Sequence, residues 1–355
     1  MSLLEKTIQS ITPRDSVARK AARERIRRLT MPPGALGKIC DLAVELAGIT
    51  GRMPPPVARK MVVVMAGDHG VVDEGVSAST REVTRQMVAN FITGGAGVNV
   101  LARLNGAEVV VADVGMADRD EDLVRSGKLI GINVMKGTRN MRREPAMSRE
   151  QAIKAIEAGI EIAERFVDTV DVFGAGEMGI GNTTPATAIV SILTGRPVEG
   201  LCGKGAGLRP EGVKRKAGII EESIALHKPD PSDPLDVLAK VGGLEIGAIA
   251  GLILGAAARR KPVLVDGFIS TAGAMIAKAL APFVRDHFIL AHASGEPGHP
   301  AMREWIGRDP LLHLDMRLGE GTGAALAMNL VEAAARILSE MATFEGAGVH
   351  EGDLA

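Results

Sequence analysis

The sequence predicts an α/β protein in which a parallel sheet is wrapped on both sides by helices. Three observations predict it. Short continuous apolar runs recur along the chain, and a strand covered on both faces reads as such a run rather than as strict alternation. These runs are interleaved with segments of helical pattern, the order expected of parallel strands joined by helical crossovers. Glycine-rich segments follow several of the runs, at the carboxyl ends of strands where open sheets of this kind bind ligands.

Taken in order, residues 15–29 and 35–48 read as helices on either side of a Met31-Pro-Pro-Gly34 break, and Met53-Pro-Pro-Pro56 marks a linker. The run 60–66 is a buried strand. Helical segments follow at about 81–90 and 96–104, then a strand at 108–113 and a weaker one at 128–134. Ser148 and Gln151 form a capping box that opens a helix reaching about residue 165. A short strand at 170–173 leads into a glycine-rich loop carrying Glu177. Helices are expected at about 184–195 and 210–227. The apolar stretch 246–258 is too short to span a bilayer and rich in small residues, so it reads as a buried helix that lets a neighbour pack closely. Strands at 262–265 and 287–291 precede a last helix at about 322–341 and a polar tail read as loose.

Composition narrows the function classes. The 42 basic and 43 acidic residues leave a net charge of −1, which gives no polybasic footprint for nucleic acid. The basic cluster between Arg19 and Arg28 reads as the solvated face of a helix. Two cysteines, Cys40 and Cys202, make neither a disulfide framework nor a metal cage, and the first residues lack the apolar core of a signal peptide. The expectation is a soluble, cytoplasmic protein that neither crosses a membrane nor binds nucleic acid. With one Trp, seven Phe and no Tyr, the core must be built from Met and aliphatics.

Two carboxylates stand out. Glu320 sits between glycines in Leu318-Gly-Glu-Gly-Thr-Gly-Ala324, at the entrance to the last helix, and Glu177 sits in Gly174-Ala-Gly-Glu-Met-Gly179. Glycine lets a ligand approach the backbone without a Cβ in the way, so both are presented for chemistry at a small-molecule site. The second segment matches the dinucleotide pattern G-x-G-x-x-G, with Glu199 where a ribose-binding acid belongs. Against that reading, Glu177 puts a negative charge within the turn meant to cradle a pyrophosphate. Asn182, Thr183 and Thr184 at a helix start suit a single phosphate, or ordinary capping. Ser294, Gly295 and Lys216 are candidates for further phosphate contacts. Asp68 and His69 offer too few ligands for a metal and read as loop-stabilising. Asp266 opens its loop either to hold a ribose or to cap the next helix. His292 and His299 flank the Ser294 loop with no role assigned.

Together these residues resemble the nicotinate-nucleotide–dimethylbenzimidazole phosphoribosyltransferases. The resemblance runs from Pro32-Pro-Gly-Ala-Leu-Gly37 through Ala66-Gly-Asp-His-Gly-Val-Val72, Glu82-Val-Thr-Arg-Gln-Met87, the 176–184 segment, Asp266-Gly-Phe268, Ser294-Gly-Glu-Pro-Gly-His299 and Arg317-Leu-Gly-Glu-Gly-Thr-Gly323. It implies a Rossmann-like sheet (59–330), a small lobe from the chain ends (1–58 and 331–355) and a homodimer. It implies transfer of phosphoribose from nicotinate mononucleotide to 5,6-dimethylbenzimidazole, giving α-ribazole 5′-phosphate and nicotinate. Carried over by motif, Glu320 is the general base and Glu177 a second carboxylate near the ribose. Gly179, Gly181, Asn182, Thr183, Lys216, Ser294 and Gly295 match the nucleotide-phosphate region, with Asp266 beside them. Gln86, Met178 and Leu318 match the base pocket. Ser79-Thr80 stands where family members often carry an aromatic-Pro pair, so Met and aliphatics are expected to wall that pocket. A pyridinium leaves as a neutral ring, so no metal or other cofactor is expected. Two other functions fit parts of the pattern: a nicotinamide-dinucleotide oxidoreductase using 174–179, and a nucleotide-binding protein without turnover.

Overall fold

The structure, a computed structural model, describes residues 1–350. Its helices and strands, in chain order, are α1 (Leu3–Ser10), α2 (Ser16–Arg27), α3 (Lys38–Thr50), β1 (Lys60–Gly67), α4 (Glu82–Thr93), α5 (Gly97–Leu104), β2 (Ala107–Gly115), α6 (Glu121–Arg125), β3 (Ile130–Gly131), α7 (Arg149–Phe166), β4 (Val172–Met178), α8 (Thr183–Thr194), α9 (Pro210–His227), α10 (Pro234–Val241), α11 (Leu244–Ala258), β5 (Val263–Val265), α12 (Phe268–Leu280), β6 (Phe288–Leu290), α13 (His299–Ile306), α14 (Thr322–Glu340) and α15 (Phe344–Ala347). All strand pairs are parallel, in the order β3-β2-β1-β4-β5-β6. The order reverses direction between β1 and β4, which creates the crevice where such sheets bind ligands.

Strand period decides which side chains meet which helices. Met61, Val63, Met65, Phe173, Ala175, Val263 and Val265 point to a core shared with α1, α7, α8, α11 and α12. Val62, Val64, Ala66, Val172, Leu264 and Ile289 point to the opposite core, with α2, α3, α5 and α14. Both faces are dry, which is why the strands read as unbroken apolar runs.

Several expectations shift. The strand expected to stop at Phe173 continues to Met178, with Gly174 opposite Val62 and Gly176 opposite Val64 of β1. These glycines are therefore inside the sheet, not in a phosphate loop. A Cβ at Gly176 would lie 2.3 Å from the Glu320 carbonyl oxygen, and one at Gly174 would lie 3.2 Å from the Ala324 Cβ. They let the start of α14 rest directly on the strand, which removes the dinucleotide reading. The weak 128–134 strand is reduced to Ile130–Gly131. α1, α6, α10 and α13 have no counterpart in the sequence reading, and the expected loose tail begins with the short helix α15; its last five residues lie outside the described ones.

At the chain ends, α2 and α3 pack on α14, and a bridge joins Leu29 to Thr343. Arg25, from the basic cluster read as a solvated face, instead donates to the Leu338 and Met341 carbonyls (3.1 and 2.6 Å) and so closes the last turn of α14. α1 crosses to the other face, where Leu4 and Ile11 join the core of α7 and α11. Among the described residues no helix is long and apolar enough to cross a membrane.

The expected close neighbour of the 244–258 helix is α7. A Cβ at Gly251 would lie 1.8 Å from the Ile156 carbonyl oxygen, and one at Gly159 would lie 1.9 Å from that of Ala248. The two backbones touch, so Gly251→Ala must push the helices apart. Such overpacking costs about 1–3 kcal/mol or more. Gly218→Ala on α9 meets nothing within 4 Å and should be neutral or stabilising by up to ~1 kcal/mol. Thermal unfolding of the two variants should separate them in sign; equal midpoints would mean that the α7–α11 contact is not as close as described.

Candidate active site

A cavity of about 410 Å³ opens at the carboxyl ends of β4, β5 and β6. Its wall includes Val76, Val83, Met87, Met178, Phe268 and Leu318 on the apolar side and Asn182, Thr183, Ser294, Glu296 and Arg317 on the polar side. Glu177, Asp266 and Glu320 also reach it, although each is at least nine-tenths buried.

Glu320 occupies an unusual backbone position. Gly319, Glu320 and Gly321 have φ of 88°, 63° and 93°. Two of the three carry no steric penalty because they are glycine, whereas a left-handed Glu costs about 1 kcal/mol. Asp266, one residue beyond β5, holds the turn in place. Its Oδ2 accepts from Gly321 N–H (3.1 Å), and its Oδ1 accepts from Gly323 and Ala324 N–H (2.6 and 3.1 Å). The carboxylate thus satisfies the free N–H groups that begin α14. Asp266 is a cap, as one sequence reading allowed, but the helix it caps is α14 rather than α12. With both oxygens engaged by backbone and 1% exposure, it shapes the turn rather than offering itself to a ribose.

That turn aims the Glu320 side chain at another helix start. Val98 N–H at the beginning of α5 donates to Glu320 Oε2 (3.1 Å). Burial lifts the carboxyl above its ordinary range, Val98 N–H pulls it back, the charge of Asp266 adds to the rise, and Gly97 N–H again opposes it. Burial wins, and the helix end that opposes it belongs to α5.

Glu177 stands on the other side of the turn. Its carboxyl is bonded to the Asn182 side-chain amide and receives Glu320 N–H at 3.4 Å. Burial first, then the charge of Asp266, push it up to about 8; Asn182 opposes, and Glu245 adds a further push. Buried carboxylates this crowded do not all ionise, and a carboxyl pushed up to about 8 holds its proton through much of the neutral range.

Asn182 commits its side chain to Glu177, so α8 begins with no side-chain cap. Its first turn, with Gly179, Gly181 and Thr183, lines the cavity and leaves N–H groups suited to an anion. Lys216 is fully buried and does not line the cavity. Its Nζ donates to Thr183 Oγ1 (2.6 Å) and the Gly203 carbonyl (3.3 Å), so it acts through Thr183. Ser294 reaches the cavity, while Gly295 is exposed, does not line it and donates to the Met316 carbonyl (3.0 Å). Gln86 faces a separate depression with Arg85, Met116 and Leu123, because Val83 and Met87, four apart, take the cavity face of α4. That i, i+4 apolar pair was visible in the sequence, as was Arg317 beside the Gly319 turn.

Both histidines with open roles are placed. His299 Nδ1 accepts Ser294 N–H (3.0 Å), so its proton sits on Nε2, 3.2 Å from Thr271 Oγ1. Burial pushes this ring down to about 3, and it remains neutral. His292 lies under Asp266, with its Nε2 3.6 Å from Oδ1. His69 pairs with Glu245 (2.9 Å), a buried carboxylate on α11 that no sequence motif flagged.

A phosphoribosyltransferase family model matches residues 11–349. The chain is 54% identical to the nicotinate-nucleotide–dimethylbenzimidazole phosphoribosyltransferase of Syntrophotalea carbinolica, covering 99% of this chain and 100% of that one. The same values hold for the enzyme of that name from Geotalea uraniireducens. A crystal structure of the phosphoribosyltransferase of that name from Thermus thermophilus superposes with a TM-score of 0.89 at 46% identity, over 95% of this chain and all of that one. A parallel sheet with a carboxylate-lined crevice, matched end to end by these relatives, makes this chain a member of the nicotinate-nucleotide–dimethylbenzimidazole phosphoribosyltransferase family.

Proposed function

We propose that this enzyme transfers the 5-phosphoribosyl group of nicotinate mononucleotide to 5,6-dimethylbenzimidazole, with Glu320 as general base and inversion at C1′. The observation that carries the reading is the Glu320 carboxylate, fixed by a left-handed turn at the edge of a cavity with one apolar wall. In the reaction the C1′–N bond to the pyridinium breaks and its electron pair returns to the nicotinate ring nitrogen. A benzimidazole nitrogen lone pair forms the new bond from the opposite face, and the proton on the other ring nitrogen passes to Glu320. Products are α-ribazole 5′-phosphate and nicotinate.

The apolar wall of Val76, Val83, Met87, Met178 and Leu318 suits the aromatic acceptor, and Thr183, Ser294 and Arg317 suit the phosphate. Holding both rings against one ribose is a positioning task. A protonated Glu177 removes one negative charge from the path of an anionic nucleotide, which favours an enzyme over the repulsion two bare carboxylates would create. The reading extends to a cytoplasmic homodimer, which sedimentation of the purified chain tests for mass.

Incubation of the protein with both substrates should yield the mass of α-ribazole phosphate together with free nicotinate; absence of both products despite bound nucleotide would reject the acceptor. Glu320→Gln should keep nucleotide affinity and lose roughly 10²–10⁴-fold in turnover. Because the base must be ionised, kcat/KM should fall toward acid with a midpoint above the ordinary 4.5 of glutamate. An unchanged acid limb in the variant would assign the proton to another group.

Glu177 gives a separate prediction. A group raised from 4.5 to about 8 on folding contributes stability that is complete below the lower value. That contribution is lost as pH rises through the upper one. Glu177→Gln does not titrate, so its stability relative to wild type should climb between about pH 5 and pH 8 and then level off. Denaturant unfolding across that range checks it; parallel curves would mean that Glu177 is ionised in the folded protein.

A further inference from the structure

We infer that Glu296 is a specificity residue whose carboxylate accepts a hydrogen bond from a ribose hydroxyl of the nucleotide. The inference rests on the substrate assigned above and concerns a residue to which neither the motifs nor that mechanism gives a role.

Glu296 is 6% exposed and lines the cavity next to Ser294. The loop that carries it is held from several directions. Glu296 N–H donates to Ser294 Oγ (3.3 Å), His299 N–H donates to the Glu296 carbonyl (3.0 Å), and Ser294 N–H donates to His299 Nδ1 (3.0 Å). The neutral His299 ring is anchored in turn by Thr271. Against this network, the Glu296 carboxylate has no hydrogen-bond or ion-pair partner among the described residues, and its Oε2 is wholly buried. A buried acceptor left unmade is costly, and such an exception in a cavity wall calls for a partner from outside the chain.

The opposite loop is shaped around this side chain. Gly203 has no left-handed φ that would require glycine, yet a Cβ there would lie 1.9 Å from Glu296 Oε2. A glycine at 203 leaves space for the Glu296 carboxylate and for Pro297, whose Cδ would lie 2.7 Å from the same Cβ. Lys216, bonded to the Gly203 carbonyl, lies near enough to feel the charge of Glu296, which offsets the cost of a carboxylate beside a phosphate site.

Chemistry selects the ligand group. A carboxylate accepts and does not donate. A nicotinate mononucleotide with ionised carboxylate and phosphate has donors only at its two ribose hydroxyls. The N–H of the acceptor base is already committed to Glu320. Glu296 is left with a ribose hydroxyl.

The test is nucleotide affinity by calorimetry, without the acceptor base, for nicotinate mononucleotide and its 2′-deoxy and 3′-deoxy forms. Wild type should bind the ribonucleotide about 10- to 100-fold more tightly than one of the deoxy forms, the usual value of a hydrogen bond to a charged group. Glu296→Ala should lose that preference, binding the ribonucleotide as weakly as the deoxy form while leaving the deoxy affinity near wild type. Gly203→Ala, which displaces the carboxylate, should copy the effect. If Glu296→Ala unfolds, Glu296→Gln serves, since a neutral amide should narrow the preference without changing the fold. An equal loss for all three nucleotides would make Glu296 merely structural and overturn the inference, as would no loss at all. Wild type that binds none of the three would instead overturn the substrate assignment.

Discussion

The site depends on one buried carboxylate at the end of a strand. Asp266 takes three backbone N–H groups at the start of α14 and thereby fixes the turn from Gly319 to Gly321. Helix dipoles favour an anion at that end, and Arg25 answers at the other end by binding the last carbonyls. α14 is thus held at both ends by side chains of matching sign. Its first turn is pressed onto β4, where only glycine at 174 and 176 gives it room. The direction in which Glu320 points follows from these contacts rather than from its own rotamer. A left-handed glutamate survives because the surrounding bonds over-determine it.

The same arrangement sorts the acids. Glu320 faces N–H groups at the start of α5, which favour its charged form. Glu177 faces the charges of Asp266 and Glu245, which disfavour its own. Burial and the charge of Asp266 raise both glutamates, but the α5 N–H groups oppose the rise at Glu320 while Glu245 adds to it at Glu177, and a difference of that kind lets one carboxyl serve as base while its neighbour stays neutral. Neither local sequence differs enough to say which is which; the difference lies in the helix start opposite one and the acids opposite the other.

What was legible in the sequence had a local cause. Buried strands left apolar runs, Ser148 and Gln151 left a capping box that is made as written, and glycine beside Glu320 marked a turn. What stayed hidden had a distant cause. Gly174 and Gly176 read as a loop because their reason for being glycine is the start of α14, far along the chain. Asp266 reads as holding a ribose or capping the next helix because the N–H groups that occupy it belong to α14. Gln86 belongs to the pocket by its place in a motif, but the rotation of α4 gives that wall to Val83 and Met87. Lys216, on α9, lies at the wrong depth and reaches the cavity through Thr183.

The scarcity of aromatic side chains bears on selectivity. Phe268 is the aromatic residue in the cavity wall, and the Met, Val and Leu around it are deformable, since methionine fills irregular gaps at little cost. Shape alone then discriminates weakly between flat acceptors, a methylene being worth about 1–3 kcal/mol in such pockets. On the proposed reaction the stricter filter is the proton. An acceptor with an N–H or O–H to surrender draws on Glu320, whereas one without it leaves a buried carboxylate unused at the moment of bond formation. On that reaction the acidity and position of the acceptor matter more than its outline, and the finer recognition falls to the nucleotide side, where side chains and backbone are rigidly bonded.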